Sequence, residues 1–531
     1  MTRKSTALLF FAFLFSLFSV SSAAEVETHN SLLNEGEDHI KAWRVSQAEE
    51  VVAKLIREHP KSPLALGLKA RVAFYQGRYE EAFNTSEQSL AILSNNEQLQ
   101  ALRLLSQQTR DTLKKLKRYE SAHFVLFLNE AKDEILVPLA LDALEKTYEV
   151  IGKELGFFPQ AKVRVEIAPD VSSFNAISTL SLRDIEVTGA VGICKFNKIM
   201  TISPRVLMHG YRWLDSLSHE YLHFAIVALS SNNAPIWLHE GMARFYETRW
   251  RHPKGSQDKP DYLTPANETL LARAMEENQL IEFKKMEPSL VYLETPEEVQ
   301  LAYAEAASAV DFILHRKGEA GVHELLAEVA QMTTAEAIQK VLEISFEQFE
   351  TEWQGFLEEK QLKEVEGSRV RKFKVKGERK KSEETVELKE IQSVVARNRT
   401  HLANRLWARG RKVAASVEYR RALKASPHSI IILNRLGRVL SERKKYEEAL
   451  PYLKKARSLD PDYVGTYLQL GRLYHATKDL SSAIAALEES IQLNPFDPTI
   501  HHRLYQIYTA RGNTERAKSS KAALDKLIRP R

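Results

Sequence analysis

Cysteine is almost absent from this 531-residue chain, where Cys194 stands alone. An internal disulfide is therefore excluded. A chain of this size without cross-links must be held by large apolar cores. Charge of one sign is lacking too. Lys and Arg number 75 against 70 Asp and Glu, a net charge of +5. So weak an excess gives little support to a nucleic-acid partner. Past the first two dozen residues there is no apolar run near the roughly 20 residues a membrane span requires. What is present is 44% hydrophobic and 27% charged, the balance of folded domains. The length suggests about three or four of them.

The N-terminus reads as a targeting segment. Arg3 and Lys4 precede an apolar stretch from Ala7 to Val20, broken only by Ser16 and Ser19. Ser21-Ser22-Ala23-Ala24 then offers small side chains for a signal peptidase. The pattern predicts a signal peptide over residues 1–24, cut after Ala24. No cysteine closely follows, which excludes a lipobox anchor. The expectation is an exported protein, periplasmic or secreted, with no transmembrane span after cleavage.

The C-terminal third repeats. Pro427, Pro461 and Pro495 are spaced by 34, as are Leu402, Leu436, Leu470 and Leu504, and Ala415, Ala449, Ala483 and Ala517. Gly437 and Gly471 follow their leucines, and Ala422, Ala456 and Ser490 form a further column. Small residues let two helices of a hairpin approach, and each proline marks a boundary between units. Residues 396–528 thus resemble tetratricopeptide repeats. Residues 30–112 carry a fainter copy, with Ala48 and Ala82 also 34 apart and a turn at Gln76-Gly77-Arg78.

Between these arms the rhythm changes. His123–Asn129 and Val163–Ile167 read as strands, and Gly189–Ile202 as one or two more. Glu130–Leu155, Arg205–Leu229, Pro235–Tyr246 and Glu297–Leu314 read as helices. This predicts an α+β domain over residues 115–355, a small mixed sheet followed by a helical half. A charged linker over 356–395 follows it. There Arg369, Arg371, Lys372, Lys374, Lys376, Arg379, Lys380 and Lys381 crowd together. The run reads as a solvated linker, or else as a contact for an anionic surface or partner. No aromatic interleaving suggests nucleic-acid stacking.

His219-Glu220-Tyr221-Leu222-His223 fits H-E-x-x-H. Side chains four apart on a helix share one face, so the two imidazoles can converge on one metal ion. Glu220 projects beside them. Two histidines leave a zinc site one protein ligand short. Glu240, 17 positions after His223, is the candidate third, reached through the polar turn Ser230–Asn233 and a helix opened by Pro235. Gly241 and Ala243 are small enough for that helix to pack closely. His239 diverges from Glu240 by about 100 degrees and fits a supporting or substrate-facing role. Asp215, Tyr246 and Glu247 are candidate partners for the ligands' second ring nitrogens. Trp237 reads as a core anchor, Cys194 as buried filler, and His209 lacks a partner at ligand spacing.

These residues resemble the gluzincin metallopeptidases, and especially the peptidase-MA-like proteins that carry tetratricopeptide repeats. The resemblance implies a zincin-like fold, a zinc cofactor held by His219, His223 and Glu240, and Glu220 as general base. It also implies an edge strand, Ala190–Ile193 or the strand just after it, that aligns a peptide, and a later tyrosine, here Tyr303, that supports the oxyanion. The Glu240 spacing is slightly shorter than in the aminopeptidase branch, and the glycine-rich exopeptidase signature is missing. The expectation is a zinc metallopeptidase acting on envelope or secreted proteins, with repeat arms that recruit protein partners. The alternative is a non-enzymatic repeat scaffold around a degenerate or structural zinc module.

Overall fold

A computed structural model describes residues 27–252, 262–370, 373–376 and 383–528. The signal segment 1–24 lies outside them, as do Arg371, Lys372, Arg379, Lys380 and Lys381 of the basic run. Among the described residues no helix is long and apolar enough to cross a membrane. The chain divides into two compact units.

The first unit takes in the chain up to Lys115 with Lys195–Lys198 and Ile226–Asn233. It is built of helical hairpins: a helix at 27–41, then Val45–Glu58, Pro63–Tyr75, Tyr79–Leu90 and Glu97–Leu113. Ser62 accepts a hydrogen bond from the Ala65 N–H and is followed by Pro63 in the first turn, which fixes one helix start. Ala48 and Ala82, the pair 34 apart, are both fully buried.

The second unit holds the sheet, the helical half and the C-terminal repeats. Five strands, β1 (Lys117–Glu120), β2 (Phe124–Leu128), β3 (Val163–Ala168), β4 (Gly192–Lys195) and β5 (Lys198–Ile202), lie in the order β1-β2-β3-β5-β4. β1 runs antiparallel to β2, and β2 parallel to β3 with Phe124 opposite Val163. The parallel pair needs a crossover, supplied by the helix Val137–Leu155. Phe124, Leu126, Val165 and Ile167 point into the core.

The helical half begins with the motif helix Trp213–Ser230 and the ligand helix Ile236–Tyr246. A long helix, Pro296–Val329, follows, bent where Gly318 leaves helical geometry at φ 67°. The motif helix starts later than the apolar pattern suggested. The 3-10 turn Pro204–Val206 ends at an extended Leu207, and Gly210 then turns the chain at φ +67° before the helix begins. Glu130–Leu155 is likewise broken, into a short turn at Glu130–Asp133, a 3-10 turn and the crossover helix. Trp237 packs between Phe283 and Phe349.

The repeat arm explains its own sequence columns. Ala415, Ala449 and Ala483 are fully buried. A Cβ at Gly437 would lie 2.5 Å from Leu453, and one at Gly471 2.7 Å from Leu487. The small residues are thus where two helices of a hairpin touch. Part of the expected linker is also engaged. Met208 N–H donates to the Lys374 carbonyl and Lys376 N–H to the Val206 carbonyl, and Lys374 pairs with Glu390 at 2.5 Å.

The arm is fastened to the start of the motif helix. Arg212 binds the carboxylates of Asp462 and Glu489 and donates to the Pro461 carbonyl at 3.0 Å. Trp213 Nε1 donates to the Ile491 carbonyl at 3.1 Å, and Tyr211 N–H to the Leu493 carbonyl at 3.0 Å.

Candidate metal centre

The motif helix turns His219 and His223 to one side, with their Nε2 atoms 3.1 Å apart. The turn through Ser231 and Asn232, both at positive φ, reverses the chain. Pro235 then precedes the ligand helix, which returns Glu240 to the pair. Its Oε2 lies 3.4 Å from each imidazole Nε2. All three are partly buried, and their ligand atoms fall within 4.8 Å of one another.

Close helix packing makes this possible. A Cβ on Gly241 would stand 2.3 Å from the Ala306 carbonyl oxygen of the long helix. Only a residue without a side chain lets the ligand helix sit this deep. Gly192 plays the same part opposite: a Cβ there would be 2.6 Å from Glu220 Oε1. β4, the strand at one end of the sheet, therefore runs directly over Glu220.

The surroundings tune the donors. His219 Nδ1 lies 2.8 Å from Glu247 Oε2, and Arg244 holds the other Glu247 oxygen at 2.8 Å. Burial works to lower the His219 pKa, but the nearby Glu240 and Glu247 carboxylates outweigh it and raise it to about 10. Burial opposes ionisation of Glu240, yet the two histidines hold it well below the usual carboxylate range. His239 Nδ1 is 3.4 Å from His223 Nδ1. Burial and the His223 charge push His239 down to about 3, so it stays neutral. Burial also raises the Glu220 pKa.

The donor set fits a metal ion such as zinc. Two imidazoles and a carboxylate are a three-ligand set for zinc. Two carboxylate oxygens, Glu240 Oε2 and Glu220 Oε2, are buried with no hydrogen-bond partner. Such orphaned acceptors are costly unless a cation or a proton-bearing ligand meets them.

Tyr303 lies on the long helix, its ring beneath the Arg244 guanidinium at 5.4 Å. Burial, and then the Glu240 carboxylate, push its hydroxyl well above the ordinary range, so it remains a hydrogen-bond donor. Asp215 takes no part in the cluster. Arg251 grips both its oxygens and Trp250 donates to one, which leaves Glu247 as the partner of His219. Arg244 is the site residue that motif reading did not single out. Its only signal was its place one turn after Glu240 on the same helix. Cys194, in β4, has its thiol pushed up by burial and by Glu220. His209 lies against the Tyr463 ring, away from the cluster.

A short mixed sheet, a helical half, H-E-x-x-H on one helix and a glutamate on the next define a zincin-type fold. Comparison with known proteins identifies the separate parts of the chain. The peptidase MA superfamily matches residues 171–359. Tetratricopeptide repeats match residues 33–97 and 401–464, and again 440–502. The chain carries a peptidase MA superfamily domain flanked by tetratricopeptide repeats at both ends. No curated protein matches it. Among solved structures, MamA from Desulfovibrio magneticus RS-1 is 21% identical at a TM-score of 0.24, over 27% of this chain and 85% of that one. A thermophilic tetratricopeptide-repeat protein of Thermus thermophilus is 25% identical at a TM-score of 0.24, over 25% and 74%. Yeast LTA4 hydrolase in complex with bestatin is 11% identical at a TM-score of 0.31, over 78% and 67%.

Proposed function

We propose that this protein is an exported zinc-dependent metallopeptidase that hydrolyses peptide bonds of envelope or secreted proteins, with repeat arms that recruit protein partners. One observation carries the reading: His219, His223 and Glu240 converge, and a fourth group, Glu220, sits beside them with a buried oxygen left over. A purely structural site has no use for that extra carboxylate.

His219, His223 and Glu240 would hold the ion. Bound zinc supplies a Lewis acid that polarises a carbonyl and makes water more acidic. The chain's own residues do the rest. Glu220 takes a proton from the water that attacks the scissile carbonyl carbon. It holds that proton until the C–N bond breaks and the departing amine nitrogen accepts it. Tyr303 donates a hydrogen bond toward the oxygen on which negative charge builds. Glu247 and His239 hold the imidazoles in orientation. β4 offers a terminal strand along which an extended peptide can add, with Gly192 giving backbone access beside Glu220.

The test is Glu220→Gln on the zinc-loaded protein with denatured casein as substrate. The variant should keep one zinc per chain and lose about 10²–10⁴ in rate, the range for a positioned acid-base group. Full metal retention with unchanged hydrolysis would sink the mechanism.

A further inference from the structure

The C-terminal repeats carry a second chemistry, on the face formed by the first helix of each hairpin. Residues 34 apart occupy equivalent places on a stacked repeat array. Arg438 and Arg472 are one such pair, and Arg435 and Arg503 are equivalent across two repeats. This lays a row of guanidinium groups along one face.

The row is treated differently at its two ends. At one end it already holds acids. The short helix Glu383–Glu390 lies there, with Glu387 accepting from Arg435 at 2.5 Å and from the Tyr463 hydroxyl at 3.0 Å. Glu384 accepts from Asn404 at 2.5 Å, and Leu388 packs against the arm's core. Arg438 is satisfied as well, stacked over Trp407 at 4.0 Å and hydrogen-bonded to Glu442 at 3.2 Å.

At the other end the acids run out. Among the described residues, neither Arg472 nor Arg503 has a carboxylate within ion-pair distance. The Nε of each is buried without a partner. Arg472 reaches only Thr499 Oγ1 at 3.4 Å, and Arg503 only His475 Nδ1 at 3.4 Å. The nearby Asp497 is engaged in capping, accepting from the Thr499 N–H and hydroxyl. Burial, then repulsion from Arg503 and Arg438, lower the pKa of Arg472, and burial lowers that of Arg503, in both cases against the weaker pull of Asp497. Two half-buried cations with no carboxylate at ion-pair distance among the described residues cost stability, which an incoming anion would return.

We propose that Arg472 and Arg503, with His475 beside them, bind the carboxylates of an acidic segment of a partner protein. That segment continues along the face whose other end is filled by Glu383–Glu390. Charge complementarity names the partner's chemistry. Arg503 stands where Arg435 stands two repeats earlier, and Arg435 already grips a glutamate. The existing occupant is a peptide helix that brings an apolar Leu388 as well as acids, a combination that a protein segment repeats and a nucleic acid does not. This inference is independent of the peptidase reading.

The test uses the full mature chain and a fluorescein-labelled octaglutamate peptide, followed by fluorescence anisotropy at 50 mM salt. Arg472→Gln/Arg503→Gln should weaken binding at least tenfold. A control, Arg420→Gln/Arg421→Gln, removes arginines already paired with Glu448 and Glu418 and should change it less than twofold. Octaglutamine should not bind. Arg503→Glu is the second variant. It supplies Arg472 with an internal acid, so binding should vanish with no loss of Tm. Wild-type affinity in the double variant would overturn the proposal. So would single-stranded DNA of equal charge binding more tightly than the peptide through the same two arginines.

Discussion

Replacing Gly241 by alanine tests the construction of the site more sharply than removing a ligand. The new Cβ would lie 2.3 Å from the Ala306 carbonyl oxygen, 2.7 Å from its carbon and 3.0 Å from Val310 Cγ2. The obstacle is backbone, so no rotamer change relieves it. To reach ordinary contact the two helices must part by about 1 Å. Overpacking of this kind costs about 1–3 kcal/mol. For a domain of this size each kcal/mol is worth about 2–4 °C in Tm, so the melting temperature should fall by roughly 2–12 °C. Glu240 is the adjacent residue and moves with the helix. Metal sites tolerate about 0.2 Å in ligand distance, so a 1 Å displacement should weaken zinc binding at least about 100-fold, near 2.8 kcal/mol. Zinc competition against a chromophoric chelator measures the affinity, and calorimetry with and without zinc measures the Tm. A folded Gly241→Ala variant with wild-type zinc affinity would refute the argument that this helix contact sets the ligand geometry.

Three further outcomes follow from the same contacts. Glu247→Gln removes the carboxylate at His219 Nδ1 while keeping its shape; zinc affinity should fall about 10–100-fold, read by the same competition assay. Gly192→Val sets side-chain atoms against Glu220 Oε1, so hydrolysis should fall at least about tenfold while zinc content by elemental analysis stays at one per chain. Arg212→Ala strips Asp462, Glu489 and the Pro461 carbonyl of their donor. The arm's attachment should weaken by about 2 kcal/mol for partly exposed charge-assisted bonds, seen as earlier proteolytic release of the C-terminal repeats.

The chemistry of the site was legible because its parts are local. H-E-x-x-H sits within one turn, and Glu240 lies one short turn and half a helix away. The repeat columns were legible for the same reason, since a buried Ala or Gly recurs wherever two helices touch. What escaped the sequence depends on distant partners. β1, Lys117–Glu120, is charged and largely exposed, so its only reason to be a strand is the edge of β2. Asp215 sits one turn before His219 and looks like its natural partner, but Arg251 claims it from the next segment. The late start of the motif helix follows from Gly210. A Cβ there would also meet the Leu493 carbonyl oxygen at 2.1 Å, a contact no local window can hold.

The fastening of the arm through Arg212 has a thermodynamic consequence. Arg212 immediately precedes the helix that carries His219, Glu220 and His223, so the arm and the metal centre share one structural member. Coupling between two sites is reciprocal. If loading the arm with a partner shifts zinc affinity by some factor, loading zinc must shift partner affinity by that same factor. A coupling of only about 1.4 kcal/mol would make it tenfold. The repeat arm is then more than a tether: it is a place from which the readiness of the metal centre can be set.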